Sequence, residues 1–142
     1  AAKITNQRWA FSAYGTAAAC TLSPRDTVYC CLPLHHPAGM LVTVGGGLVG
    51  GARLALATEF NPKAFWDDVH RYGATVVFYA GEMLRELLRS PPSSSDNQNS
   101  IRLFAGSGLR RGVWQRIIDP TWCQPRYSWR YWATHWAIIS HR

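Results

Sequence analysis

Apolar positions in this chain fall in short runs whose spacing alternates between the helical and the extended period, with turn-forming residues between them. Behind a cap at Thr5 or Asn6, Trp9, Ala10, Ala13, Tyr14 and Ala17 recur at helical spacing and predict a helix to about Ala18. Ser23-Pro24-Arg25-Asp26 is turn chemistry, and Thr27-Val28-Tyr29-Cys30-Cys31 is a short buried strand ended by Pro33. The loop Leu34–Gly39 then opens a helix from Met40 to about Val49, followed by a strand over Arg53–Ala57. Asn61 before Pro62 signals a helix start, with Phe65, Val69 and Tyr72 on its apolar face, Asp67, Asp68 and Arg71 on the other, and Gly73 as its stop.

Ala74–Tyr79 is an uninterrupted run of Val and aromatic residues, the pattern of a strand covered on both faces in a parallel sheet. A helix over Gly81–Arg89 turns Met83, Leu84, Leu87 and Leu88 inward. A polar, flexible connection over residues 91–99 leads to a strand over Ile101–Ala105, a tight turn at Gly106-Ser107-Gly108 and a helix over Arg110–Ile118. Strands and helices in alternation predict a layered α/β domain whose mostly parallel sheet is flanked by helices. Ligands of such sheets bind at the carboxyl ends of strands, so Leu32–Gly39 and Gly106–Leu109 are the candidate site loops.

Met40–Ala57 is apolar over nearly the thickness of a bilayer, but Gly45, Gly46, Gly47, Gly50 and Gly51 stand in it and Arg53 interrupts it. A glycine-rich helix packed closely on a sheet and followed by a strand explains this stretch better than a membrane span. From Asp119 the composition changes: Asp119–Arg142 carries four of the seven Trp and no Gly, Leu, Val, Glu or Lys. Three readings stay open for it: a genuine terminal segment, an interfacial anchor with a partial helical stripe of Trp122, Trp129, Trp132 and Trp136, and translation in a shifted frame. The last is preferred and predicts a poorly packed tail, which divides the chain into 1–118 and 119–142.

Of the 142 residues, 47% are hydrophobic and 16% charged, a globular balance with length for one domain. The formal net charge of +7 is spread along the chain rather than gathered into a stripe with aromatics, which argues against nucleic acid. It leaves attraction to anionic phosphate, as nucleotide, cofactor or lipid, and an anionic membrane surface as a further partner. Cys20, Cys30, Cys31 and Cys123 form no CxxC pair, and nothing resembles a secretory leader. A reduced, cytoplasmic chain, peripheral to membranes if it meets them, is the expectation. The sequence opens on Ala1 without Met, the sign of a trimmed or incomplete start. His35 and His36 lie near Cys30 and Cys31, but adjacent strand residues face opposite ways and no carboxylate has ligand spacing, so no metal site is expected. Walker and GxSxG patterns are missing.

Leu32-Pro33-Leu34-His35-His36-Pro37-Ala38-Gly39 resembles the Pro-Leu-x-His-x-x-Gly motif of AMP-forming acyl-CoA synthetases. Phe65-Trp66-Asp67-Asp68 and Thr75–Glu82 resemble the segments that follow it in the long- and very-long-chain branch, which includes fatty-acid transport proteins. Ile101–Arg110 with Val113-Trp114 matches that branch's GxGLRxxVW stretch. The resemblance spans Ala1 to about Ile118 and implies a piece of the large domain of an adenylate-forming enzyme. By resemblance, His36 is the active-site histidine near the acyl carboxylate and the phosphate. Gly106, Ser107, Gly108 and Leu109 match the segment that contacts adenine and the acyl chain, and Gly81 and Glu82 fall near the acyl-binding wall. Glu82 reads equally as a surface helix residue.

The family's reaction uses ATP, Mg2+ and coenzyme A. A fatty carboxylate attacks the α-phosphate, pyrophosphate leaves, and the acyl adenylate passes to the thiol. The family's phosphate loop, rich in Ser, Thr and Gly and ending in Pro-Lys, belongs directly before Ala1. Its Tyr-Gly-x-Thr-Glu motif, which helps hold magnesium, belongs where the anomalous tail stands, and the later ribose-binding Asp and C-terminal-domain Lys are missing too. The expectation is a fatty-acid–CoA ligase piece that is inactive and binds no cofactor tightly by itself. Two other readings are a subunit completed by another chain and a non-enzymatic lipid- or membrane-surface-binding module.

Overall fold

The computed structural model describes residues 3–90, 99–108, 113 and 116, and the backbone of 127–132 and 136–141. Its elements in chain order are α1 (Asn6–Ala19), β1 (Thr27–Cys30), a π-helical segment (Ala38–Val44), α2 (Gly45–Gly50), β2 (Arg53–Leu56), α3 (Phe65–Tyr72), β3 (Val76–Ala80), α4 (Gly81–Leu87), β4 (Leu103–Ser107), β5 (Tyr127–Trp132) and β6 (Trp136–His141). One sheet runs in the order β2-β1-β3-β4-β6-β5. The first four strands are parallel, and β6 and β5 add antiparallel beyond β4. The layered α/β architecture read from the sequence is the observed one.

Helices cover both faces, which is why β1 and β3 carry continuous apolar runs. On one face α2 lies so close to Val28 and Leu54 that a Cβ at Gly47 would stand 2.5 Å from Leu54 Cδ2. The same helix presses on α1, where a Cβ at Gly46 would stand 2.6 Å from Thr16 Cγ2. The glycines of Met40–Ala57 therefore serve close packing, and among the described residues no helix is long and apolar enough to cross a membrane. On the other face α3 packs on Tyr29: the Phe65 ring stands edge-on at 5.7 Å, and Tyr29 Oη donates to Asp68 Oδ2 at 2.8 Å.

Several local expectations need correction. Tyr14 is 66% exposed, because α1 buries only the narrow strip at Ala13 against the glycines of α2. Asn61 caps a turn, accepting from the Lys63 amide at 3.0 Å, and the helix begins only at Phe65. Asp68 stands three residues after Phe65 and shares its inward face, whereas Tyr72 is exposed with the Arg71 guanidinium 5.6 Å over its ring. Gly106 and Ser107 are the last residues of β4 rather than a turn, since they pair with Tyr79 and Ala80 of β3. The turn begins at Gly108, with φ +81°. The 91–98 connection and most of the 110–118 helix lie outside the described residues, although Val113 and Arg116 are helical. In the tail, aromatic and Ile-rich runs form strands, so the helical stripe through Trp129, Trp132 and Trp136 does not form.

At the amino ends of the strands a partly buried ion pair ties three segments together. Asp26 accepts from Arg102 Nε at 2.7 Å and Nη2 at 2.9 Å, from the Thr75 hydroxyl at 2.8 Å and from the Ser23 amide at 3.0 Å. Arg102 Nη2 also donates to the carbonyls of Cys20 and Thr21. Burial opposes ionisation of Asp26, but the Arg102 and Thr75 bonds outweigh it and pull the carboxyl from 3.8 down to about 2. A carboxyl depressed in the folded state stabilises fully above its unfolded value and loses that contribution as pH falls through its folded value. The fold is expected to lose about 2 kcal/mol between pH 5 and pH 2 from this group. Urea unfolding across that range measures it, and the loss should vanish in Asp26→Asn.

Candidate functional site

Because β1, β2, β3 and β4 are parallel, the loops after them leave from one edge of the sheet. β1 connects outward to β2 on one side, whereas β3 and β4 continue on the other. The order of the strands thus reverses between β1 and β3, and a crevice at that reversal is where open α/β sheets hold ligands. His36 stands in the loop after β1, and Gly81 stands directly after β3.

The His36 loop is tightly bonded to itself. The His36 amide donates to Pro33 O at 3.0 Å, and the amides of Gly39 and Met40 donate back to His36 O at 3.0 and 3.1 Å. A Cβ at Gly39 would collide with the Pro33 carbonyl, so glycine is required for the loop to close. His35 and His36 are both exposed, and His36 Nδ1 accepts from the Ala38 amide at 3.1 Å. A neutral imidazole whose Nδ1 accepts carries its proton on Nε2, free to donate.

The second wall is built from backbone. Gly106 pairs with Tyr79 so closely that a Cβ there would meet the Tyr79 carbonyl. A Cβ at Gly81 would meet the Gly108 carbonyl, which brings the start of α4 and the end of β4 into direct backbone contact. Gly81, Gly106, Ser107 and Gly108 thus form one continuous strip, buried at Gly106 and open at Gly108. Glu82 opens α4 on the exposed side and is paired with Arg85 at 2.9 Å. Leu109 lies outside the described residues. The structure joins Gly81, Gly106, Ser107 and Gly108, and sets His36 beyond the end of the adjacent strand β1.

A strip whose one side chain is the small hydroxymethyl of Ser107 suits a flat base laid against backbone groups. Among the described residues no group of three His, Cys, Asp or Glu could hold a metal ion by itself. Burial pushes the Cys20 and Cys31 thiols up to about 12, so they stay protonated. Sequence reasoning missed Thr43, a fully buried residue in the segment after His36 whose hydroxyl donates to Ala38 O at 2.8 Å. Its only signal was a polar residue inside the apolar run from Met40.

A family model described as AMP-binding enzyme matches residues 1–140, running on past Ile118, where the sequence reading ended its resemblance. Long-chain fatty acid transport protein 2 of Rattus norvegicus is 37% identical over 107 residues, covering 74% of this chain and 17% of that protein's length. The fold is similar to a putative long-chain-fatty-acid CoA ligase from Rhodopseudomonas palustris CGA009, at TM-score 0.66 and 21% identity over 89% of this chain and 31% of that one. It is also similar to the ATP-bound RpMatB-BxBclM chimera B1, at TM-score 0.72 and 20% identity over 82% of this chain and 23% of that one.

Proposed function

This chain belongs to the AMP-binding enzyme family, and from that premise we propose that residues 1–118 supply the acyl- and adenine-facing wall of a long-chain fatty-acid–CoA ligase site. The observation that carries this reading is the glycine strip of Gly81, Gly106 and Gly108 at the carboxyl edge, one strand away from the His36 loop. In the reading, adenine lies on the Gly106–Gly108 backbone and the acyl chain runs past Gly81. Glu82 borders that path from the exposed side. His36 Nε2–H donates to the anionic carboxylate or phosphate, where a fixed donor counts most as charge shifts in the transition state. The substrates are a fatty acid and an adenine nucleotide, and coenzyme A takes the acyl group from the adenylate.

Magnesium supplies charge neutralisation on the phosphates in such phosphoryl transfers when it is bound. We assign the metal and the phosphate cradle to parts of the site outside this wall. The setting we assign is the reducing cytoplasm, with any membrane contact peripheral.

The reading is tested by titrating the isotope-labelled chain with a non-hydrolysable acyl-sulfamoyl adenosine. The amides of Gly81, Gly106, Ser107 and Gly108 and the imidazole of His36 are expected to shift together at high-micromolar to millimolar ligand. Shifts confined to other surfaces, or none at solubility, would sink the assignment. Shifts produced only by anionic vesicles would favour the membrane-surface module instead.

A further inference from the structure

The segment after the His36 loop is wound as a π-helix, a geometry that is rare and concentrates at functional sites. Thr43 bonds across this winding. This side chain is completely buried, and a buried hydroxyl needs a partner. A helical Thr ordinarily bonds back to the carbonyl four residues earlier. Here the hydroxyl donates to Ala38 O, five residues earlier, at 2.8 Å. It also lies beside the thiol of Cys30, the last residue of β1. Thr43 therefore anchors the entry of the segment to the end of the strand.

The peptide unit between Ala38 and Gly39 is consequently held at both ends. Its carbonyl is bonded by Thr43, and its N–H donates to His36 O at 3.0 Å. The Ala38 amide, one peptide earlier, is left facing His36 Nδ1 at 3.1 Å. The absence of a Cβ at Gly39 lets Pro33 O close over the same unit.

We propose that Thr43 is a positioning residue for His36: through Ala38 it holds an N–H against Nδ1 and so presents Nε2–H, as a donor, to the site. This rests on the proposed role of His36 for its catalytic meaning, but the geometry it predicts is measurable without any substrate. Imidazole nitrogen shifts, read by long-range proton–nitrogen correlation on the whole chain, report which nitrogen carries the proton.

In the unaltered chain at a pH where His36 is neutral, the Nε2–H tautomer is expected to dominate. Thr43→Val keeps the shape and removes the hydroxyl, and should lower the tautomer ratio roughly fivefold, about the worth of one hydrogen bond. Thr43→Ser restores the hydroxyl and should restore the ratio. A dominant Nδ1–H form in the unaltered chain would overturn the proposal even if Thr43→Val failed to fold. An unchanged ratio in folded Thr43→Val would overturn it as well. If the tautomer behaves as expected but the adenylate mimic never touches His36, the functional reading fails and the positioning holds.

Discussion

Gly81→Ala is expected to destabilise the fold by about 1–3 kcal/mol and to weaken binding of an acyl adenylate by at least tenfold. The added methyl points straight at the Gly108 carbonyl, and the atoms it meets are backbone, which cannot rotate aside. Relief requires either that α4 move off β3 or that Gly108 leave its φ of +81°. Either motion opens the strip on which adenine is proposed to lie. Urea unfolding reads the first effect, and titration with the adenylate mimic reads the second. Gly73→Ala is a fitting control, because its Cβ would meet nothing within 4 Å while its φ of +58° carries the backbone strain alone. Wild-type stability in Gly81→Ala would show that the two loops do not touch as described.

The contrast between these two glycines shows how far the sequence could be read. Gly73 was legible as a helix stop, because a left-handed C-cap is a local requirement written next to the helix it ends. The contact of Gly81 with Gly108 joins residues remote in sequence, and no local pattern announces it. The same holds for Asp26. Ser23-Pro24-Arg25-Asp26 reads as a turn, and it is one, but the carboxylate's partner is Arg102, 76 residues on and across β3.

Parallel strands were the easiest elements to see, since burial on both faces writes an unbroken apolar run at Val76–Tyr79. Helix faces were less legible where the helix is short. Over the eight residues of α3 the position of Asp68 is decided by Tyr29 reaching up from the sheet, not by polarity. The candidate site loops were chosen by the rule that ligands gather at carboxyl strand ends, and the role proposed for His36 came only with the family's motif. Thr43 stayed hidden because a buried hydroxyl inside an apolar run looks like core until its partner is seen.

The second large effect concerns the reaction itself. Adenylation depends on neutralising the phosphates, since catalysis of such transfers is almost entirely positioning and electrostatic stabilisation. This chain spans 17% of the length of the rat relative, and its 142 residues contain neither a Pro-Lys-ended Ser/Thr/Gly loop nor a Tyr-Gly-x-Thr-Glu motif. Our account therefore assigns it the acyl and adenine wall but not the phosphate side of the site. A construction that restores the missing side should recover the reaction, with His36 then contributing to its rate.

The direct test is ATP–pyrophosphate exchange by these 142 residues with magnesium and fatty acids of several lengths, beside His36→Ala, in protein shown to be folded. The account predicts no exchange above the protein-free blank in either sample. Exchange that requires fatty acid and falls in His36→Ala would contradict it, because phosphate binding would then reside in residues to which no such role has been given.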